Sequence, residues 1–202
     1  MSPNQRQAFL MSVRSFLIAF CVFSGLASEA LGNDLFRRVA EMVNDERQKV
    51  GLVRLTYNKQ LEQAALSHSK WMAKVQMMEH LQGQKPEGFD TYLNSDHHHA
   101  TRILKTGYLK WQDLFDVTRE GNTGHIRPKP DADDRCSEII AFASRGAGPV
   151  PKQLPIVVPG WMKSPGHRAV IVKTCWKEIG AAYAFAKDGG TYYAVTFGNP
   201  TQ

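Results

Sequence analysis

Two serines in this sequence lie beside residues that could activate them as nucleophiles. Ser164 stands three residues before His167, and Ser137 adjoins Glu138, so the side-chain types of a serine hydrolase are all present. The proline after Ser164 favours another role, because it is typical of a helix N-terminus at which a serine hydroxyl caps the helix. The G-x-S-x-G pattern of a nucleophile elbow is also absent. We therefore rank serine catalysis below a capping role for Ser164.

The sequence also contains three consecutive histidines, His97, His98 and His99. Consecutive residues of a helix point about 100° apart, so three in a row do not converge on one ion. We expect solvated residues of a first helical turn, and the alternative is that one of them reaches a neighbouring cleft. His68 lies on the apolar stripe of a predicted helix, which indicates a buried core histidine.

Residues 1–30 have the order of a secretory signal peptide. Arg6 and Arg14 are followed by the largely apolar segment 15–27 and then by small residues. The segment is shorter than the roughly 20 apolar residues that cross a bilayer, so a cleaved signal is favoured over an uncleaved anchor. We expect a secreted or periplasmic protein that contacts a membrane only through this leader, if the leader stays uncleaved.

Cys136 and Cys175 are the two cysteines that remain once this leader is removed. An even pair in an exported chain favours a disulfide between them. Two buried free thiols are the alternative. Export also makes oxidation of Cys136 more favourable than a role as a nucleophile.

The composition bounds the fold and the partners. The chain has 202 residues, of which 43% are hydrophobic and 22% are charged, as is ordinary for a folded domain. Its basic residues are spread along the sequence and the net charge is +6, so no nucleic-acid partner is expected. We predict a single domain over residues 31–202 after the signal peptide.

The apolar patterns predict helices first and a hairpin last. Residues 111–135 show no sustained period and are predicted to be an irregular insertion, and the prolines between 145 and 159 argue against a long helix there. Helices are predicted over 35–50, 59–79 and 95–107, followed by a strand over 138–143, a helix from Ser164 and a hairpin over 178–197. This order predicts an α+β fold in which helices cover an antiparallel sheet.

Six motifs in order along the chain resemble the CAP superfamily, which comprises cysteine-rich secretory proteins, antigen 5 and plant pathogenesis-related proteins. The bacterial branch is the most similar, through W-M-x-S-P-x-H-R at residues 161–168. The other motifs are Asn44–Arg47 with Gly51–Leu52, Met78–His80, Arg102 with Gly107–Tyr108, Ser137–Ile140 and Ile179–Gly180. The resemblance covers residues 33–199.

The resemblance implies a three-layer α-β-α sandwich with a mainly antiparallel central sheet. It also implies a cleft lined by two histidines and up to two glutamates. Carried over onto this sequence, the histidines are His80 and His167 and the first glutamate is Glu138. No acidic residue lies between Glu138 and His167, so the second glutamate is missing. Ile139 also replaces the asparagine of the family's G-E-N-I element.

The cleft residues implied by the resemblance suit a divalent cation. Neutral imidazoles bind zinc well, and a carboxylate can ligate a metal or orient a ligating ring. His80 and His167 are therefore the candidate ligands of zinc or magnesium, with water completing the shell. The alternative is structural: His80 caps the end of the second helix, and His167 orients a first helical turn.

These expectations give three functional hypotheses. The first is an exported binding module whose cleft of His80, Glu138 and His167 takes a lipid or sterol, a glycan or an envelope protein, with or without a metal. The second is a metal-assisted hydrolase in which Glu138 is the catalytic general base. The third is a structural or interaction domain without a ligand. The apolar segment 154–162 is either the lip of a lipid groove or simple packing against the sheet.

Overall fold

Six helices and six strands lie in the part of the chain that the computed structural model describes, residues 34–84, 87, 95–120 and 123–200. The predicted signal peptide lies outside these residues. The helices are α1 (34–49), α2 (Lys59–Val75), α3 (His99–Lys105), α4 (Trp111–Leu114), α5 (Val150–Lys163) and α6 (Pro165–Ile171). The strands are β1 (Thr56–Tyr57), β2 (Phe115–Glu120), β3 (Thr123–Pro128), β4 (Cys136–Ala143), β5 (Glu178–Phe185) and β6 (Thr191–Gly198).

Four of these strands form the central sheet, in the order β1-β5-β6-β4. The predicted C-terminal hairpin is β5–β6, in which Ala182 pairs with Ala194. Ala194 also faces Ile140 of β4 in an antiparallel ladder, and only the short β1 runs parallel to its neighbour. The order places β4 at one edge of the sheet.

Helix α2 covers one face of the sheet. Gly180 allows the helix to approach closely, because a Cβ atom at this position would overlap the backbone nitrogen of Glu62. Apolar side chains of the helix and of three strands form one buried cluster there: Ala65, Met72, Ile140, Ala182 and Ala194. Alternate strand residues therefore face α2, as the pleat of a sheet requires.

Helices α1, α5 and α6 lie on the opposite face. The Tyr193 hydroxyl donates a hydrogen bond to Gln153 of α5 at 2.6 Å. Arg47 joins α1 to α6, because its guanidinium donates to the carbonyl oxygen of Ile171 at 2.6 Å. The α+β fold with three α-β-α layers and a mainly antiparallel sheet is thus confirmed.

The first sequence motif holds this frame together. The Asn44 side chain bonds both the N–H and the C=O of Leu55, at 2.8 and 2.9 Å. Arg47 is fully buried and donates to the carbonyl oxygen of Val53, in the α1–β1 connection, and to that of Lys173, just after α6. Asn58 caps α2, since its side chain accepts from the N–H groups of Gln60 and Leu61.

Two predicted helices are shorter in the structure. Helix α2 ends at Val75 rather than near 79, because Gln76 adopts a left-handed conformation with φ 56°. His80 therefore lies on the following loop and does not cap a helix end. Helix α3 begins at His99 rather than near 95, with His98 as its N-cap.

The expectation of no long helix after residue 145 is wrong, because α5 contains Pro155 and Pro159 within 14 residues. Pro151 lies in its first turn, where a missing N–H costs little. The three prolines share one side of the helix by their spacing of four, and that side is largely turned to solvent, so the adjoining apolar stripe still packs. That stripe consists of the buried residues Val150, Leu154, Val157, Val158 and Trp161.

The segment 111–135 is also more regular than expected. It contains α4 and then the β2–β3 hairpin, whose six pairs run from Phe115–Pro128 to Glu120–Thr123. The hairpin forms a sheet of its own, separate from the central one. Main-chain pairing needs no apolar alternation, which is why the apolar pattern did not reveal these strands.

The predicted disulfide is not formed in the structure, where Cys136 and Cys175 are free thiols. Cys136 is buried in an apolar cluster with Leu61 and Ala64, whereas the Cys175 thiol lies 4.0 Å from a carboxylate oxygen of Asp134. The two sulfur atoms thus have different surroundings. None of the helices in the described ranges is both long enough and apolar enough to cross a bilayer.

Candidate functional site

Glu138 stands at the centre of a buried polar cluster. It lies on β4, and its side chain has no exposed surface. Both carboxylate oxygens accept hydrogen bonds of 2.9 Å from the Arg102 guanidinium. His80 Nδ1 lies 3.3 Å from the same carboxylate and His68 Nε2 lies 3.5 Å from it. We call Glu138, Arg102, His68 and His80 the carboxylate cluster.

Arg102 organises the loops around this cluster. The residue is carried by α3 and is buried. Besides Glu138, its guanidinium donates to the carbonyl oxygens of Asp96 (2.9 Å), His97 (3.1 Å) and His80 (3.3 Å). One side chain therefore connects β4 with two loop segments, one at His80 and the other at Asp96 and His97.

The Glu138 carboxyl stays ionised in this environment. Burial alone would raise its pKa, but the charge of Arg102 and the hydrogen bond from His80 outweigh burial and hold the pKa well below its usual range. A general base needs a free lone pair and a pKa nearer the working pH. Glu138 is fully buried and its pKa is lowered, so these features do not favour the general-base role, which stays a prediction.

His68 is the buried core histidine that the sequence predicts, and it also belongs to the cluster. Its ring is fully buried, with Nε2 2.8 Å from the carbonyl oxygen of Glu79 and Nδ1 3.4 Å from Gln82. Burial lowers its pKa more than the neighbouring Glu138 raises it. A neutral His68 therefore anchors the loop that carries His80.

The three consecutive histidines are not the solvated residues that we expected. His97 is buried, and its Nδ1 lies 3.2 Å from the carbonyl oxygen of Gln82. His98 caps α3, because its Nδ1 accepts from the N–H of Ala100 at 3.2 Å. Burial is the main cause that lowers the pKa of His98, and it lowers that of His99 to about 3. These residues hold α3 in place.

A groove with a volume of about 560 Å³ lies next to the cluster, between α5 and the outer edge of β4. We call it the β4 groove. Its walls are mostly apolar, with His167 of α6 at one end. The lining residues used below are Met78, Ile140–Ser144, Ile156, Gly160, Ser164 and His167. Segment 154–162 both packs in the interior and borders the groove. Leu154 and Val158 are buried, whereas Ile156 is 66% exposed at the rim.

Ser164 is not the engaged helix cap that we predicted. It is the N-cap residue of α6, but its side chain makes no capping hydrogen bond. The residue lines the β4 groove instead, on the same side as His167. A hydroxyl and an imidazole are therefore among the few polar groups that line a mostly apolar channel.

The two predicted histidines lie on different elements: His80 contacts Glu138, and His167 of α6 lines the β4 groove. The pKa of His167 is lowered first by burial and then by the charge of His80. Glu138 is buried and paired with Arg102, and His80 turns Nδ1 toward that carboxylate, so the two imidazoles are the side chains left for an ion. Within the described ranges no three histidine, cysteine or acidic residues converge as metal ligands.

Arg102 and His68 are the members of the cluster that sequence reasoning did not place there. Arg102 was noted only as part of a motif, and His68 only as a core residue. One signal was available. When the arginine of a short helix must be buried, its side chain requires a carboxylate partner. The sequence offered no way to choose Glu138 as that partner from the other acidic residues.

Comparison with known proteins agrees with this fold. The family model described as "CAP: Cysteine-rich secretory protein family" matches residues 40–197 of this chain. The fold is similar to that of an outer surface protein of Borrelia burgdorferi, with a TM-score of 0.56 and 17% identity over 83% of this chain and 94% of that chain.

The fold is also similar to that of an extracellular protein containing an SCP domain from Bacillus anthracis. The TM-score is 0.54 and the identity 15%, over 83% of this chain but only 41% of the Bacillus chain. Curated protein sequences give no match. Because the matched region runs from the first helix to the last strand, the chain belongs to the CAP family of cysteine-rich secretory proteins.

Proposed function

We propose that this CAP protein is an extracytoplasmic binding protein whose ligand site is the β4 groove. The observation that carries the proposal is the groove itself, a channel of about 560 Å³ with mostly apolar walls to which Ser164 and His167 contribute polar groups. Small-ligand and peptide sites commonly combine apolar walls with a few polar groups that fix orientation. The carboxylate cluster has a different, structural role, because its central carboxylate is buried and already hydrogen-bonded.

The extracytoplasmic location is supported by two independent observations. Residues 1–30 have the pattern of a secretory signal. The two proteins with similar folds are described as an outer surface protein and an extracellular protein. We extend that location to this chain.

The carboxylate cluster sets the position of one groove wall. Arg102 and His68 bond the carbonyl oxygens of His80 and Glu79, and the neighbouring Met78 lines the groove. In this arrangement the cluster acts on ligand binding only through the loop. A zinc or magnesium ion on His80 and His167 would need water for its remaining ligands, and it stays a prediction.

The lining also narrows the ligand class. A glycan site needs many hydrogen-bonding side chains, whereas this channel is mostly apolar. Of the partners expected from the sequence, a lipid and a segment of an envelope protein both fit the walls better than a glycan. Either ligand would keep the protein a binding module rather than an enzyme.

Filling the groove tests the proposal. A Cβ atom at Gly160 meets no other atom within 4 Å, so Gly160→Phe places a ring in the channel without a clash at its base. Gly166 is equally open but does not line the groove, which makes Gly166→Phe a matched control. The probe is an anilinonaphthalene sulfonate dye that fluoresces in apolar sites.

We expect the exported protein and Gly166→Phe to bind one dye molecule, and Gly160→Phe to lose at least about tenfold in affinity. Thermal unfolding of all three proteins checks that the fold is retained. Equal dye binding by Gly160→Phe would show that the groove is not the site and would end the proposal.

A further inference from the structure

The floor of the β4 groove is the free edge of a strand. In the described ranges, β4 pairs with β6 on one side and with no strand on the other. Five consecutive residues, Ile140–Ser144, line the groove. Trp161 Nε1 donates to the carbonyl oxygen of Ile140 at 2.8 Å, so this carbonyl points away from β6.

The direction of the Ile140 carbonyl fixes the direction of its neighbours. Peptide groups of an antiparallel strand alternate between the two sides. The peptide groups of Phe142 therefore point into the groove along with those of Ile140. Within the described part of the chain, the N–H of Ile140 and the N–H and C=O of Phe142 have no hydrogen-bond partner.

Unpaired peptide groups at the floor decide between the two ligand classes. An acyl chain seated on the edge would remove water from these groups and give no hydrogen bond in return, which is unfavourable. An extended peptide presents complementary N–H and C=O groups at the same spacing. Its alternate side chains would meet the exposed Phe142, Ile156 and Met78 at the rim.

The charge of the α5–α6 wall gives a second, independent argument. The sequence from Ile139 to Lys177 contains no acidic residue. Four of its basic residues are exposed and form no ion pair with any described residue: Arg145, Lys152, Lys163 and Arg168. By helical spacing, Lys152 and Lys163 flank Ile156 on the rim of the groove. This wall complements negative charge.

We infer that the β4 groove binds an extended peptide segment with acidic side chains, which adds to the sheet as a strand beside β4. The inference rests on the proposed function and names its ligand class. Main-chain hydrogen bonds to Ile140 and Phe142 hold the peptide, and the apolar rim and basic wall select its side chains. Trp161 limits the added strand to a few residues, because it already occupies the Ile140 carbonyl.

The test uses a phage-displayed library of random peptides, selected on the exported protein and depleted on Gly160→Phe. We expect enriched peptides to be extended, apolar at alternate positions and rich in acidic residues. Their affinity should fall at least about tenfold for Gly160→Phe and remain unchanged for Gly166→Phe. Hydrogen exchange at the Ile140 and Phe142 amides should slow when a selected peptide binds.

Two chemical controls make the test specific for strand addition. Methylation of the peptide's alternate backbone nitrogens should abolish binding, because it removes the main-chain donors without changing a side chain. Lys152→Ala with Lys163→Ala should weaken binding and reduce its dependence on salt.

The outcomes separate the two proposals. No enrichment, or selected peptides that bind Gly160→Phe equally well or tolerate N-methylation, would overturn the strand-addition inference. If the naphthalene dye and oleate still bind the wild-type groove in that case, the ligand is a lipid and the proposed function stands. If Gly160→Phe binds both the dye and the selected peptides as well as the wild type does, both proposals fail.

Discussion

Replacing Arg102, which does not itself line the β4 groove, by methionine should destabilise the protein severely. The variant keeps much of the side-chain volume but leaves the fully buried Glu138 carboxylate without the two 2.9 Å hydrogen bonds from Arg102. Removing one partner of a buried ion pair typically costs about 3–5 kcal/mol. The carbonyl oxygens of Asp96 and His97 lose their donor as well.

The size of this effect can be measured by urea unfolding and calorimetry. For a domain of this length, a loss of about 3–5 kcal/mol lowers Tm by about 6–20 °C. The control is Arg168→Met, which removes an exposed arginine from α6 and should change the free energy of unfolding by less than about 0.5 kcal/mol.

The pH dependence identifies the cause. In the wild type the Glu138 pKa is held below its unfolded value, so its contribution to stability is present above that value and is lost as pH falls through the folded pKa. In Arg102→Met, burial raises the pKa of Glu138. Acid then protonates the carboxyl and removes the free-energy cost of burying its unpaired charge. The difference between the two proteins should therefore shrink from pH 7 to pH 4. A loss below about 1 kcal/mol at pH 7, or a difference that does not depend on pH, would refute the reasoning.

Three further predictions follow from single features. The buried His68 and the partly buried His98 and His99 have pKa values below their unfolded value of about 6.5, so the unfolded state takes up protons first and stability should fall as pH drops from 7 to 5; His99→Gln should flatten that slope in urea titrations, and an unchanged slope would contradict the assignment. Gly180→Ala should cost about 1–3 kcal/mol in calorimetry because its Cβ overlaps the α2 backbone, whereas Gly166→Ala should be neutral or stabilising. In the exported protein a thiol reagent should modify Cys175 at once and Cys136 only on unfolding, because Cys136 is buried and its pKa is raised to about 12; if neither thiol reacts even in urea, the disulfide predicted from the sequence is present.

Local signals in the sequence predicted much of the fold. Asn58 caps α2 through bonds to Gln60 and Leu61, and the turn at 187–190 joins two strands that pair along their full length. These features depend on residues close in sequence, so their chemistry is visible without a structure. Family resemblance supplied the layer order that local patterns leave open.

The errors in the fold arose where packing outweighs local preference. Proline argues against a helix in isolation, but the apolar stripe of α5 packs against the sheet and keeps 14 residues helical through Pro155 and Pro159. The left-handed Gln76 ended α2 early although glutamine favours helices. Neither outcome is visible without the tertiary contacts.

The sequence named some residues of the candidate site but not Arg102 or His68, which complete the carboxylate cluster. The resemblance implied a cleft of His80, Glu138 and His167; the structure shows the contact between His80 and Glu138, whereas His167 lines the β4 groove. The partner of Glu138 is 36 residues away in sequence, and no local pattern connects it to Arg102. The free edge of β4 likewise depends on the strand order, which only the three-dimensional structure shows.

The most direct test of the central claim compares ligand occupancy with stability in two variants. Native mass spectrometry of the exported protein reports bound ligand, and calorimetry of the same samples reports Tm. We predict that Gly160→Phe keeps the wild-type Tm and loses its ligand, whereas Glu138→Gln keeps its ligand in the folded fraction and loses stability. The opposite result, an occupied Gly160→Phe and an empty but fully stable Glu138→Gln, would place the binding site in the carboxylate cluster and contradict the account.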